Sequence, residues 1–114
     1  MFSSAALIAA IALAGPCDDA NTTRELERCY TRAFAHADSL LAFREAAFQR
    51  LLVTPAGREH FRASGRAFRS YRERECRAQA EIHEGGSMGP VVYVSCKLTL
   101  TEARREFLED STTE

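Results

Sequence analysis

Four cysteines, Cys17, Cys29, Cys76 and Cys96, have the most definite chemistry in this 114-residue chain. Four cysteines allow three pairings. We favour Cys17 with Cys29, which would tie the amino-terminal segment to the first helix, and Cys76 with Cys96, which would close a glycine-rich loop at its base. A zinc site or a thiol–disulfide oxidoreductase would favour CxxC pairs, which the sequence lacks. We therefore predict two structural disulfides, each stabilising the fold by about 3 kcal/mol.

The other polar residues do not form a pattern typical of catalysis. His36, His60 and His83 lie about 24 residues apart, which favours solvent-facing side chains over a ligand set. Glu73 and Glu75 would point in two directions from a helix and make a poor acid–base pair. The sequence has no GxSxG, HExxH or phosphate-binding motif. We expect no enzymatic activity, no cofactor and no metal site.

The glycine-rich segment EGGSMGP, residues 84–90, is the first candidate for binding a partner. If Cys76 and Cys96 are paired, the disulfide holds the segment and lowers the cost of ordering it on binding. Ser87 would offer a hydroxyl and Met88 an adaptable apolar contact. The alternative is a plain turn between helices, in which Ser87 caps the next helix and the glycines supply positive φ. The candidate contact residues are Glu84, Gly85, Gly86, Ser87 and Met88.

A stripe of arginines on the second predicted helix is the second candidate surface. Guanidinium groups could bind the carboxylates of a partner. The alternative is a solvated helix face, partly neutralised by Glu59 and Glu73. Arg72 lies toward the apolar side instead, where we expect a structural ion pair with Asp38 or Glu25. The stripe consists of Arg58, Arg62, Arg66 and Arg69.

Two long helices are predicted before the glycine-rich segment. The first extends from about Thr22 to Leu52, because Thr22 and Glu25 have capping-box spacing and an apolar stripe follows. The second begins at Thr54 and continues to about residue 82, with Pro55 at its first position. Gly65 either weakens this helix by roughly 1 kcal/mol or allows close helix approach. The apolar stripe consists of Leu26, Tyr30, Ala33, Ala37, Leu40, Ala47 and Leu51.

In the carboxyl-terminal third, the sequence pattern is compatible with either a strand or a helix. Residues 91–94, VVYV, have strand propensity but no partner strand, and Pro90 could equally open a helix, so both readings stay open. Thr99 and Glu102 again have capping-box spacing, which predicts a final helix from Glu102 to Glu109. Residues 110–114 resemble a frayed polar tail.

Composition describes a small exported domain. Residues 1–14 are uncharged and contain about ten consecutive apolar residues, typical of a signal peptide cleaved before Gly15. The remaining residues, 15–114, suffice for one domain, but only 19 of them are Leu, Ile, Val or Phe. Such a thin core needs covalent reinforcement. The net charge of −1 argues against nucleic-acid binding.

An ordered set of motifs across the mature chain resembles the lysozyme inhibitor LprI-like family of small exported bacterial proteins. That family usually carries Trp where this chain has Phe68, a change that should preserve packing but lose an indole N–H. The matching residues are Cys17, Thr22, Glu25, Cys29, Ala37, Asp38, Leu41, Phe68, Tyr71, Arg72, Cys76, the 84–90 segment, Cys96, Thr101, Arg104 and Leu108.

The resemblance implies an all-α domain: small, disulfide-stapled and antiparallel, with two long helices plus shorter carboxyl-terminal helices. It favours helix over strand for residues 91–98. It also implies a periplasmic or secreted protein, without a transmembrane segment in the mature chain, that inhibits lysozyme. The alternative is a structural or accessory envelope protein that binds another bacterial protein without inhibiting anything. Vertebrate-type lysozymes are usually basic, which disfavours the arginine stripe as the contact surface.

Overall fold

The computed structural model describes residues 15–112, which form three α-helices and no strand. The helices are α1 (Thr23–Leu51), α2 (Pro55–Glu81) and α3 (Gly89–Ser111). The all-α prediction is confirmed. The predicted signal peptide, residues 1–14, lies outside the described residues.

The first two helices begin as the sequence predicts. The Thr22 hydroxyl accepts a hydrogen bond from the backbone N–H of Glu25 at 3.1 Å, and the Glu25 carboxylate accepts from the N–H of Asn21. At α2, the Thr54 hydroxyl accepts from the N–H of Gly57. These bonds satisfy amide groups that have no partner within the first helical turn.

The third helix corrects the prediction of a break near Thr99. Helix α3 is continuous over 23 residues, and Thr99 lies in its interior, where its hydroxyl donates to the carbonyl of Ser95. Strand propensity in the 91–94 segment is overridden because Val91, Val94 and Leu98 recur at helical spacing and are all buried. Thus one long helix replaces the shorter helices, and it includes Ser111 of the predicted frayed tail.

Contacts between side chains of different helices show the relative directions of the three helices. Helix α1 is antiparallel to α2, because Asp38 pairs with Arg72 and the later Glu45 pairs with the earlier Arg69. Helix α1 is parallel to α3, since Lys97 lies over the Phe34 ring and Arg44 pairs with Glu109. Helix α3 packs against both other helices. The 82–88 connection therefore lies at the end where α1 begins, opposite the α1–α2 turn.

The core is small, as composition predicts. Leu41, Thr101 and Cys76 are the largest fully buried side chains among the described residues. The predicted stripe on α1 is confirmed at Ala37, which is buried, but wrong at Leu40, because Leu41 is fully buried whereas Leu40 is 41% exposed. The buried apolar residues are Cys17, Ala37, Leu41, Cys76, Val91, Val94, Leu98 and Leu108.

Two disulfides reinforce this core. Cys17 is bonded to Cys29, and Cys76 is bonded to Cys96, which is the pairing favoured from the sequence. The first ties the segment before α1 to that helix. The second links α2 to α3 and lies within two turns of the connection between them. The two bonds include every cysteine of the described residues, 15–112.

Candidate functional site

The 84–88 segment forms an exposed, ordered connection between α2 and α3. The N–H of Glu84 donates to the carbonyl of Glu81, and that of Gly86 donates to the carbonyl of His83, each at 3.1 Å. Gly85 has a φ of +85°, as expected for a glycine in a turn, and no atom lies within 4 Å of where its Cβ would be. Successive turns thus fix the backbone while leaving the side chains open to solvent.

Ser87 does not cap the following helix. Met88 occupies the cap position of α3 without a side-chain hydrogen bond, and Pro90 lies within the first turn. The Ser87 hydroxyl is exposed and has no hydrogen-bond partner within residues 15–112. This hydroxyl remains available to a partner, in contrast to the plain-turn reading of the segment.

Apolar side chains flank the loop at both ends. Ile82 is 78% exposed and Met88 is 40% exposed. Ile82 was not predicted as a contact residue, because the sequence pattern places it at the end of a helix rather than in the loop. Beside them lies a shallow cavity of about 350 Å³, bordered by Gly89, Pro90 and Tyr93. The loop end therefore combines apolar contacts with hydrogen-bonding groups, as the centre of a protein interface does.

A polar cluster supports the wall of this cavity. The Tyr93 hydroxyl and the Arg77 guanidinium both donate to Glu73, and the guanidinium lies over the Tyr93 ring. Burial and the bond to Glu73 raise the pKa of Tyr93, while burial lowers the pKa of Lys97, which lies over the same ring. Within residues 15–112, Glu73 forms its ion pair with Arg77 and not with an arginine of the stripe that it was expected to neutralise.

The arginine stripe is divided among three different partners. Arg58 donates to the carbonyl of Leu52 at 3.0 Å and thereby closes the α1–α2 turn. Arg62 and Arg66 both donate to Glu59, at 3.1 and 3.0 Å. Hydrogen bonds from Arg66 and then Arg62 lower the pKa of Glu59. The predicted neutralisation by Glu59 is confirmed.

The fourth arginine of the stripe joins an ion cluster between the helices. Arg69 donates to both carboxylate oxygens of Glu45, at 2.7 and 3.2 Å, and Arg104 donates to the same carboxylate at 3.0 Å. Burial alone would raise the pKa of Glu45, but the hydrogen bonds and charges of the two arginines outweigh it and lower the pKa. Sequence reasoning missed Glu45, because its partners lie 24 and 59 residues away.

Comparison with known families gives a clear result. The pattern of the family described as lysozyme inhibitor LprI matches residues 16–108, which is most of the chain. The chain belongs to the LprI family. No curated protein and no solved structure shows a significant match to it.

In this LprI-family domain, Arg72 has the structural role expected from the sequence. Its guanidinium donates to Asp38 and to the hydroxyl of Thr101, each at 2.9 Å. It also lies over the rings of Phe34 and Phe68, at 5.0 and 5.5 Å from their centroids. Phe68 thus supplies an aromatic face that the cation contacts.

Residues 15–112 of the LprI-family domain contain neither a group of metal-ligating side chains nor a helix that could cross a membrane. Across residues 15–112, no three His, Cys, Asp or Glu residues form a group suited to a metal ion. Within the same residues, no helix combines the length and apolar character needed to cross a bilayer. His36, His60 and His83 are all exposed.

Proposed function

We propose that this protein is an exported lysozyme inhibitor and that it contacts lysozyme through residues 82–88. Membership of the LprI family supports lysozyme as the partner. In this proposal, residues 1–14 direct export, and residues 15–114 act as a single domain in the periplasm or outside the cell. Inhibition is by binding, with no chemical step.

The observation that carries the proposal is the ordered and exposed loop end. Hydrogen-bonded turns fix its backbone, and the Cys76–Cys96 disulfide joins the two helices that present it. Little conformational entropy is therefore lost when the loop binds, which favours affinity. A loop projecting from one end of a helical domain has a shape suited to entering a concave cleft.

The chemistry of the loop end also suits this partner. Ile82 and Met88 offer apolar contacts, and Ser87 offers a hydroxyl to hydrogen-bond with polar groups of the cleft. Glu81 and Glu84 are exposed and would attract a basic lysozyme during encounter. The arginine stripe, by contrast, would be repelled by such a surface.

Lysis assays with the purified mature protein, residues 15–114, test the proposal. We expect inhibition of at least one lysozyme class. The double substitution Ser87→Ala with Met88→Ala should raise the inhibitor concentration required for half-inhibition about tenfold, the effect of losing a few central contacts. Circular dichroism and the melting temperature should be unchanged, because both side chains are exposed.

The matched control is Val53→Ala, at the α1–α2 turn. Val53 is 87% exposed and lies at the opposite end of the molecule, so its removal should leave inhibition unchanged. Equal inhibition by the loop variant and the wild type would reject the loop as contact surface. If no lysozyme class is inhibited, the inhibitor function itself is rejected and the accessory envelope role is favoured.

A further inference from the structure

A second cavity lies between α1 and α2, away from the loop end. Its volume is about 470 Å³, and it borders the two ion clusters centred on Glu45 and Glu59. The cavity is lined in part by the arginine stripe and by Phe61, which is one ring of a stacked aromatic pair. Its principal lining residues are Glu45, Phe61, Arg62, Gly65, Arg66 and Arg69.

The cavity has an excess of positive charge. Glu45 is shared by Arg69 and Arg104, and Glu59 is shared by Arg62 and Arg66. Four guanidinium groups against two carboxylates leave a net charge of +2. Each guanidinium has five N–H donors, and the two carboxylates use only a minority of them. An additional anion would find both charge and donors in place.

Two further features indicate that the clusters are incompletely neutralised. Arg62 and Arg66 are more than half exposed, so their free donors face solvent at the cavity rim. Close to Gly65, which lines the cavity, the Nη2 group of Arg104 is buried and has no hydrogen-bond partner within residues 15–112. An unpaired buried N–H of a charged group is costly, and a nearby negative charge reduces that cost.

The cavity also has an apolar side. The Phe61 ring stacks on Phe48 with its centroid 4.6 Å away, and Phe61 borders the cavity together with Ala46. Gly65 also lines the cavity, and a Cβ there would be in ordinary contact with the Arg69 guanidinium at 3.5 Å and the Glu45 carboxylate at 3.6 Å. An apolar wall thus stands next to arginine donors.

We propose that this cavity binds a small organic carboxylate that carries an apolar group. The carboxylate would bind Arg62 and Arg66 in competition with Glu59, and the apolar group would pack on Phe61. The carboxyl terminus of a peptide and a free apolar acid share this chemistry. This site is independent of lysozyme inhibition, since it lies on another part of the molecule.

Calorimetric titration of the mature, disulfide-bonded protein tests the site. N-acetyl-phenylalanine should bind, whereas its uncharged amide and acetate should bind at least about tenfold more weakly, since each lacks one of the two interactions. A peptide ending in Phe and 3-phenylpropionate then distinguish the two sources, according to which binds more tightly. Equal binding of the acid and its amide would overturn the proposal.

Two substitutions with opposite expected effects on ligand affinity test whether the arginines of the cavity bind the carboxylate or only stabilise the fold. Arg66→Gln should weaken N-acetyl-phenylalanine binding about tenfold, by loss of a charge-assisted hydrogen bond. Glu59→Gln should strengthen it severalfold, because the internal competitor is removed. Arg74→Gln, on an exposed position of α2 outside the cavity, is the control and should have no effect. Absence of binding by the wild type, or weaker binding by Glu59→Gln, would reject the site.

Discussion

Helices α1 and α2 are attached to the rest of the molecule by different kinds of interaction. Helices α1 and α3 supply all the buried aliphatic residues of the described chain, including Leu41 and Leu98. The buried residues of α2 are only Gly65 and Cys76. Helix α2 is held instead by a disulfide, by ion pairs and by cations lying over aromatic rings. The buried aliphatic residues are therefore concentrated in the contact between α1 and α3, whereas α2 is attached through ion pairs, aromatic rings and the cations that lie over them.

Cations and aromatic rings alternate in a continuous series that runs along the interface of α2 and includes the Lys97–Phe34 contact between α1 and α3. Each cation lies 4.3 to 5.5 Å from the centroid of a neighbouring ring. Such contacts contribute about 0.5 to 2 kcal/mol each, depending on desolvation. Unlike aliphatic packing, they need specific positions for both partners. The series runs Arg77, Tyr93, Lys97, Phe34, Arg72, Phe68, Arg104 and Phe61.

The aliphatic interface can be broken at Leu41. Its side chain is fully buried, so Leu41→Ala should reduce the free energy of unfolding by about 4 kcal/mol, from lost burial and the cavity left behind. Denaturant titration of the mature protein measures the change. Leu40→Ala is the control, because Leu40 is partly exposed and its loss should cost less than about 1 kcal/mol. Similar losses for both variants would show that the core is not localised as described.

The polar interface can be loosened at its disulfide. Replacing Cys76 and Cys96 together by Ala should reduce the free energy of unfolding by about 3 kcal/mol, through the greater entropy of the unfolded chain. Helix α2 contributes no aliphatic side chain to the core. In the variant, we therefore expect the backbone amides of α2 to exchange hydrogen faster than those of α1 and α3. Hydrogen exchange measured by mass spectrometry compares all three helices in one experiment.

Replacing Cys17 and Cys29 together by Ala removes the other disulfide and provides the comparison for the Cys76–Cys96 variant. That disulfide closes a loop of 12 rather than 20 residues, so its entropic contribution is similar in size. It ties only the segment before α1, and its removal should increase exchange near that segment alone. Equal loss of protection in all three helices after removing Cys76–Cys96 would contradict the distinction between the interfaces.

Sequence reasoning identified the features that depend on neighbouring residues. Local spacing predicted the caps at Thr22 and Thr54 and the approximate limits of the first two helices. For the cysteines, the sequence favoured one of three pairings, and the structure has that pairing. At Thr99 the same local rule failed, because a capping-box spacing also occurs inside helices and only tertiary burial of Val94 and Leu98 distinguishes the two cases.

The candidate surfaces were only partly predictable for the same reason. The loop at 84–88 is evident from its glycines, but the exposure of Ile82 depends on where α2 ends in three dimensions. The stripe of arginines is visible as a repeat, whereas its division between Glu59 and Glu45 depends on the antiparallel placement of α1. Residues 24 or more apart in sequence give no local signal of such a pair.

Acid should weaken the polar interface before the aliphatic one. Folding lowers the pKa of Glu45 from its usual value of 4.5, so the folded state binds this proton less readily than the unfolded state does. Its contribution to stability is complete above the unfolded pKa and is lost as the pH falls through the lower, folded pKa. Glu45→Gln should cost about 1 to 2 kcal/mol at neutral pH, by loss of charge-assisted hydrogen bonds, and should flatten the loss of stability below about pH 4.5.

Glu59→Gln provides the matched comparison for this prediction. Glu59 also has a lowered pKa, owing to Arg66 and Arg62, but it is exposed and joins residues of a single helix. Its substitution should therefore change stability at neutral pH much less than Glu45→Gln does, because solvent screens an exposed ion pair. Denaturant titrations between pH 3 and 7 measure both effects. If Glu59→Gln flattened the acid profile as much as Glu45→Gln, the ion cluster between α1, α2 and α3 would have no special role in attaching α2.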